Sequence, residues 1–218
     1  MKDKKIAVCF ALAEEAGPFN RACAGRAHVF LTGIGRQNAE KAAREFLSIH
    51  KPPLLMTCGF AGGLIPDLKI ADVVFAVSAD DGAGNEIYAD IRSKLTAANA
   101  VEAKIFCADR IATTAADKQT LRQQTGADAA EMESGAIQAV CAGLRIPCVT
   151  VRVISDTADQ DLPMDFNNFM KEDKSLDMSR LMMAVAKAPW KMGALMELQK
   201  NTKLAAQRLA DVLVQIIR

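Results

Sequence analysis

One apolar run does most to limit what this chain can fold into. Residues Pro147–Ile154 read Pro-Cys-Val-Thr-Val-Arg-Val-Ile, mostly apolar and rich in β-branched side chains. That is the pattern of a strand buried on both faces of a parallel sheet. The run ends in Ser155-Asp156-Thr157-Ala158-Asp159. In an open α/β sheet, ligands bind outside the carboxyl ends of the strands, so Ser155 and Asp156 stand where chemistry is expected. Two more carboxylates flank a methionine upstream, in Glu131-Met132-Glu133. Together these segments suggest a site for a ligand with hydroxyls to grip and a basic atom to protonate.

The rest of the chain follows the same alternation. Strands are expected over Ile6–Leu12, His28–Leu31, Leu54–Cys58, Val73–Val77 and Lys104–Ala108, with Glu14-Glu15 opening a loop after the first. Helices are expected over Gln37–Ser48, Gln119–Gln124 and Ser134–Leu144, and from Asp165 onward with a break at Pro189. Asp81-Gly82-Ala83-Gly84 reads as a loop. Strands alternating with helices predict an α/β fold: a central mixed, largely parallel sheet with helices on both faces. The expected organisation is one domain over residues 1–218, with a helical C-terminal segment over 165–218 and no linker.

Composition bounds the function. With 27 Lys+Arg against 26 Asp+Glu, the formal net charge is +1. That balance gives no electrostatic reason to bind nucleic acid or an acidic surface. Met1-Lys2-Asp3-Lys4-Lys5 precedes only a short apolar run, unlike a signal peptide, and no segment approaches a membrane span. The cysteines Cys9, Cys23, Cys58, Cys107, Cys141 and Cys148 form no C-x-x-C pair and read as small buried hydrophobes. A cytoplasmic location is the expectation. With only His28 and His50, a zinc site is not expected, and no cofactor is.

Each candidate residue also has a plain structural role. Gly33-Ile34-Gly35 is followed by Asn38 and so lacks the third glycine of a dinucleotide fingerprint. A tight strand-to-helix turn is the better reading, although such a helix start can still hold an anion or a water. Gly59-Phe60-Ala61-Gly62-Gly63 either relieves a crowded turn or lets backbone approach a ligand. Glu131 and Glu133 suit a helix N-terminus, but a methionine between them wants cover. Glu14 and Glu15 are equally good capping acids. What favours a site is that all these acids fall at the carboxyl ends of successive strands.

Ala-Leu-Ala-Glu-Glu (11–15), Thr-Gly-Ile-Gly (32–35), Cys-Gly-Phe-Ala-Gly-Gly-Leu (58–64), Glu-Met-Glu-Ser (131–134) and Val-Arg-Val-Ile-Ser-Asp-Thr-Ala-Asp (151–159) occur in this order. In them the chain resembles the nucleoside phosphorylase/nucleosidase superfamily over nearly its whole length. The first half is similar to methylthioadenosine/S-adenosylhomocysteine nucleosidase. Beyond Asp159, the segments Leu162-Pro163, Asp173-Lys174-Ser175-Leu176-Asp177 and Ala188-Pro189-Trp190 resemble the hopanoid-associated phosphorylase branch. That branch implies release of adenine from an adenosyl-hopane intermediate, a purine nucleoside with a lipid 5′ substituent. By resemblance, Asp156 protonates the leaving purine at N7, Glu133 holds the ribose 2′- and 3′-hydroxyls with Met132 under the sugar, and Glu15 activates water. Backbone groups near Ile111-Ala112 read the purine edge. Ile111 stands where the nucleosidases have a base-stacking phenylalanine, and Phe60 where they have serine. A homodimer or higher homo-oligomer is the expected assembly.

The chemistry fits these residue types. Cleavage of an N-glycosidic bond builds positive charge on the ribose and negative charge on the base, which must be protonated or hydrogen-bonded as it leaves. An aspartate of reference pKa about 3.9 is mostly ionised at neutral pH, and raising it by about 3 units costs about 4 kcal/mol. Burial and neighbouring carboxylates push that way, and Arg152, if close, pulls against them, so its expected role is to hold Glu131 or Glu133. An anionic Glu15 suits water and repels phosphate, and the chain lacks the Gly-Asp-Pro segment of phosphate-using relatives. Hydrolysis is therefore favoured, with Arg26, Arg36 and Arg92 as the arginines from which a phosphate pocket would have to be built. A methylthioadenosine or S-adenosylhomocysteine nucleosidase, a phosphorylase and a non-catalytic nucleoside-binding protein are the alternatives. Seven of the ten methionines, Met164, Met170, Met178, Met182, Met183, Met192 and Met196, lie in the C-terminal part. They suggest either core or interface packing or an apolar groove beside the ribose 5′ position, with one of Met182 and Met183 facing the core.

Overall fold

The computed structural model describes residues 5–77, 85–171 and 177–217. The segment Asp81–Gly84, expected as a loop, the start of the chain at Met1–Lys4, and Asp173–Leu176 lie outside the described residues, as does the side chain of Met178.

Strands β1 (Ala7–Phe10), β2 (His28–Leu31), β3 (Leu55–Gly63), β4 (Val73–Val77), β5 (Val101–Glu102) and β8 (Cys148–Asp156) run side by side in the order β2-β1-β3-β8-β4-β5. Two further strands, β6 (Ile105–Cys107) and β7 (Ala129–Glu131), add on through β7, which pairs antiparallel with the end of β3. β8 is parallel to β3 and antiparallel to β4. The sheet is thus mixed but mostly parallel. All nine residues of β8 are buried, as expected for a strand covered on both faces.

Side chains alternate along a strand, and the two faces of β1 show it. Val8 and Phe10 pack with α1 (Ala13–Cys23), α3 (Asn85–Ala97) and the second half of α7 (Met192–Ile216). Ala7 and Cys9 pack on the other face with α2 (Arg36–Ile49) and α5 (Ser134–Gly143). These form one α/β domain with helices on both faces. All six cysteines are unpaired, and five of them are buried.

Several local expectations change. The stretch after β1 is the helix α1 and not a loop. Gly17 and Pro18 are poor helix formers, but Ala16, Phe19 and Cys23 fall on one face and are buried, and that packing outweighs propensity. The short helix expected near Gln119 is longer, α4 (Ala115–Thr125). It is opened by Thr114, whose hydroxyl accepts from the Asp117 N–H at 3.0 Å. The region after Asp165 is not helix throughout. A 3-10 turn spans Phe166–Phe169, then come α6 (Met178–Lys187), a second 3-10 turn at Pro189–Lys191, and α7.

Candidate functional site

β3 and β8 run in register until Ala61, which faces Ile154. The next pair is Gly62 with Asp156. Ser155 is therefore the extra residue of a bulge, a feature that re-aims side chains near sites. Consecutive residues of a regular strand point to opposite faces, yet here both Ser155 and Asp156 line one cavity. That cavity has a volume of about 270 Å³. It sits at the carboxyl ends of the strands. Ala11 and Leu12 follow β1, Phe60–Gly62 belong to β3, Glu131 ends β7 with Met132-Glu133 after it, and Ser155-Asp156 end β8.

Of the expected site residues, Glu15, Phe60, Ile111, Ala112, Met132, Glu133, Ser155 and Asp156 all line this cavity. Gly59 sits behind it. A Cβ there would lie 2.7 Å from Glu15 Oε1, and its φ is +155°. Only glycine lets the Glu15 carboxylate approach the backbone so closely. That carboxylate accepts the Phe60 N–H at 2.8 Å and the Leu12 N–H at 2.9 Å. Burial raises the Glu15 carboxyl above its ordinary value, and the N–H groups of Phe60 and Leu12 oppose the rise.

The two acids around Met132 have different surroundings. Glu131 accepts from the Glu133 and Ser134 N–H groups at 3.0 and 2.8 Å and from the Ser134 hydroxyl at 2.6 Å. It also pairs with the fully buried Arg152. Burial works against its charge, but Arg152 and Ser134 prevail and hold it below the usual carboxylate range. Glu131 is thereby committed to fixing Arg152 and the start of α5. Glu133 accepts one backbone bond, from Gly35 N–H at 2.8 Å, and its other oxygen lies 4.0 Å from Arg152. The glycine-rich start of α2 does hold an anion, and the anion is this side chain. Burial, helped by Glu131 and opposed by Arg152, pushes Glu133 up from an ordinary 4.5 to about 7.

That shift has a sign that can be checked. A carboxyl that binds its proton more tightly when folded contributes stability at low pH and loses it as pH rises through about 7. Glu133→Gln is neutral and can still accept from Gly35. It is expected to raise Tm by a few degrees at pH 8, about the size of a 1 kcal/mol effect, and the gain should shrink toward pH 5. A gain that is flat or grows on acidification contradicts the assignment.

The cation at Asp156 is Lys118 of α4, which the sequence reading did not anticipate. Its ammonium lies 2.6 Å from Asp156 Oδ2, and Lys118 is 1% exposed. It also donates to the carbonyls of Thr157 and Gln160 at 2.6 and 2.8 Å, so all three N–H groups are used. The Ser155 hydroxyl donates to Asp156 Oδ1 at 2.7 Å. A Cβ on Gly62 would lie 3.1 Å from Asp156 Oδ2, so the carboxylate is pinned from three sides. Arg152 is engaged by Glu131, the role expected of it, and is not the counter-charge of Asp156.

Asn167 is a second addition. Its side-chain carbonyl accepts the Ile111 N–H and its amide donates to the Ile111 carbonyl, both at 3.0 Å. Both Ile111 backbone groups thus bond to Asn167, while Ile111 and Ala112 line the cavity. Phe166, beside Asn167, lines the cavity with Leu162, Met170 and Leu198. The methionine expectation divides. Met170 lines the cavity and Met164 is buried. Met182 and Met183 are 68% and 57% exposed, so neither faces the core. Among the described residues no cluster of His, Cys, Asp and Glu is arranged to hold a metal ion.

Known proteins share this arrangement of chain. The 5′-methylthioadenosine/S-adenosylhomocysteine nucleosidase of Haemophilus ducreyi is 29% identical over 179 residues, covering 71% of this chain and 76% of that protein. Among solved structures, the 5′-methylthioadenosine/S-adenosylhomocysteine nucleosidase of Helicobacter pylori superposes with a TM-score of 0.72 at 19% identity, covering 100% of this chain and 99% of the other. A futalosine hydrolase mutant of the same species gives 0.72 at 18% identity, covering 99% of each chain. At such identities the structural likeness speaks to the fold. The phosphorylase superfamily model matches residues 19–101 and 79–218. This match over most of the sequence places the chain in its family: it belongs to the phosphorylase superfamily.

Proposed function

We propose that this chain is a purine nucleosidase that uses water to cleave the N-glycosidic bond of a 5′-substituted adenine nucleoside, and that its substrate is of the adenosyl-hopane type. One observation carries the reading. Glu15, Glu133 and Asp156 come from three separate elements and line a single cavity whose remaining wall is mostly apolar. Asp156, oriented by Ser155 and Lys118, hydrogen-bonds and protonates the leaving purine. Glu133 accepts from the ribose diol through the oxygen that Gly35 leaves open, with Met132 and Phe60 packing on the sugar. Glu15 orients the attacking water and offsets positive charge on the ribose. Because Asn167 occupies Ile111, the backbone of Ala112 is assigned to the purine edge, with Ile111 contributing its side chain to base packing.

Water is favoured over phosphate by the fate of the arginines. Arg26 bonds to carbonyls at the end of α1, Arg36 pairs with Asp109, and Arg92 pairs with Glu102. None of the three lines the cavity, and Arg110, the arginine that does, pairs with Asp117 at 3.7 Å. A large apolar 5′ group is favoured by the wall of Leu162, Phe166, Met170 and Leu198. A second reading, cleavage of methylthioadenosine or S-adenosylhomocysteine, is favoured by the activity of the Haemophilus ducreyi relative. Adenosines with a 5′-methylthio group or a long apolar 5′ group discriminate the two. The lipid reading expects kcat/KM at least about ten-fold higher for the long group, the scale of one or more buried methylenes. Equal or reversed preference supports the small substrate.

Lys118 is a positioning residue in this scheme. Lys118→Met is expected to lower kcat by at least about ten-fold while KM changes little, because the misplaced carboxylate matters when the base leaves. A rise in KM with kcat unchanged contradicts that role.

A further inference from the structure

The C-terminal helices carry a surface that the cavity does not use. In α7 the buried residues begin at Ala205, and none is buried from Met192 to Leu204. At about 1.5 Å per residue, the first half of α7 is an arm of about 20 Å lying outside the core. The main contacts of α6 are with the 3-10 turns on either side of it and not with the sheet. Met182, Met183, Trp190, Met192 and Met196 are all exposed, Trp190 to 76%. Large apolar side chains gathered on one connected stretch mark a surface that meets a partner.

Charge indicates which partner. The whole chain is nearly balanced, but the region from Asp177 to Leu204 is not. It holds Arg180, Lys187, Lys191, Lys200 and Lys203 against Asp177 and Glu197. A second copy seated on the same face would set these cations against each other. Methionine and tryptophan interleaved with lysine and arginine are the composition of helices that lie in a membrane interface, and tryptophan favours headgroup depth. No described helix is long and apolar enough to cross a membrane, so the fit is to a surface.

We infer that α6 and the exposed half of α7 dock on an anionic lipid surface. Leu198 of the same α7 arm lines the cavity, as do Phe166 and Met170 on the approach to α6. Docking therefore sets the cavity beside the bilayer, where a nucleoside with an apolar tail would partition. The inference rests on this surface alone and stands or falls separately from the nucleosidase reading.

Trp190 is the single tryptophan of the chain and reports directly. The full-length protein is titrated with vesicles of phosphatidylcholine alone and of phosphatidylcholine mixed with phosphatidylglycerol. A blue shift of Trp190 emission and co-sedimentation are expected with the anionic vesicles, weakened by high salt. Lys187→Glu with Lys191→Glu is expected to weaken binding at least about ten-fold, and Met182→Ser with Met183→Ser to reduce the blue shift. Both pairs should leave cleavage of a soluble 5′-methylthio nucleoside unchanged. Absence of binding to anionic vesicles overturns the inference, as does equal, salt-insensitive binding to both vesicle types. A blue shift that follows protein concentration without vesicles, together with dimers in sedimentation, assigns the face to a second copy and overturns it as well.

Discussion

Asp156→Asn is expected to lower kcat for purine release by about a thousand-fold, within the range general acid catalysis supplies, with KM within a few-fold of wild type. The amide keeps the shape of the side chain and can still accept from Ser155. It cannot pass a proton to a leaving base, and it meets the Lys118 ammonium without a charge. The loss belongs to the transition state, where the base becomes anionic, so it falls on kcat. A purified variant that binds adenine normally and turns over at the wild-type rate removes Asp156 from the chemistry.

Glu15→Gln is the other large effect. Glu15 takes one N–H on each oxygen, from Phe60 and Leu12, so its orientation is fixed before ligand arrives. The amide must turn an NH₂ group toward one of these donors, which leaves a backbone N–H unmatched. It also loses the negative charge that orients water and offsets a cationic ribose. Activity is expected to fall by about a hundred- to a thousand-fold, and added phosphate should restore none of it. Rescue by phosphate would show that the nucleophile was never water held by this carboxylate.

The acids at the centre of the site are legible because they interrupt apolar sequence. Asp156 ends a run of β-branched residues, and Glu133 stands one residue beyond a methionine that needs cover. The positions of β1–β4, β6 and β8 are readable for the same reason, since period and composition mark buried strands well, whereas their order in the sheet and the short β5 and β7 are not. What escaped lies in residues whose neighbours mislead. Lys118 sits between Asp117 and Gln119 and looks like part of a solvated helix face, yet α4 turns it inward onto Asp156. Asn167 and Phe166 occupy a segment whose pattern suits a helix, but Asp165 caps a short 3-10 turn there and its side chain accepts from the Asn167 N–H at 3.0 Å. α1 was obscured by Gly17-Pro18, and α3 by the glycines that precede it in the sequence. In each case a tertiary contact distant in sequence decides the outcome, and no local pattern records it.

The bulge at Ser155 belongs to the same class. Its position depends on β3 and β8 falling out of step after Ala61, which neither strand shows alone. Without it, Ser155 and Asp156 would point to opposite faces of the sheet, and the serine would not hold the Asp156 carboxylate.

The most direct measurement is product analysis of a 5′-substituted adenosine incubated with the purified chain in ¹⁸O-labelled water, with and without phosphate. Adenine and a free 5′-substituted ribose carrying the label at its anomeric hydroxyl are expected, examined at once after quenching, at a rate that phosphate does not change. Ribose 1-phosphate as the main product, or no release of adenine from any 5′-substituted adenosine, would contradict the account.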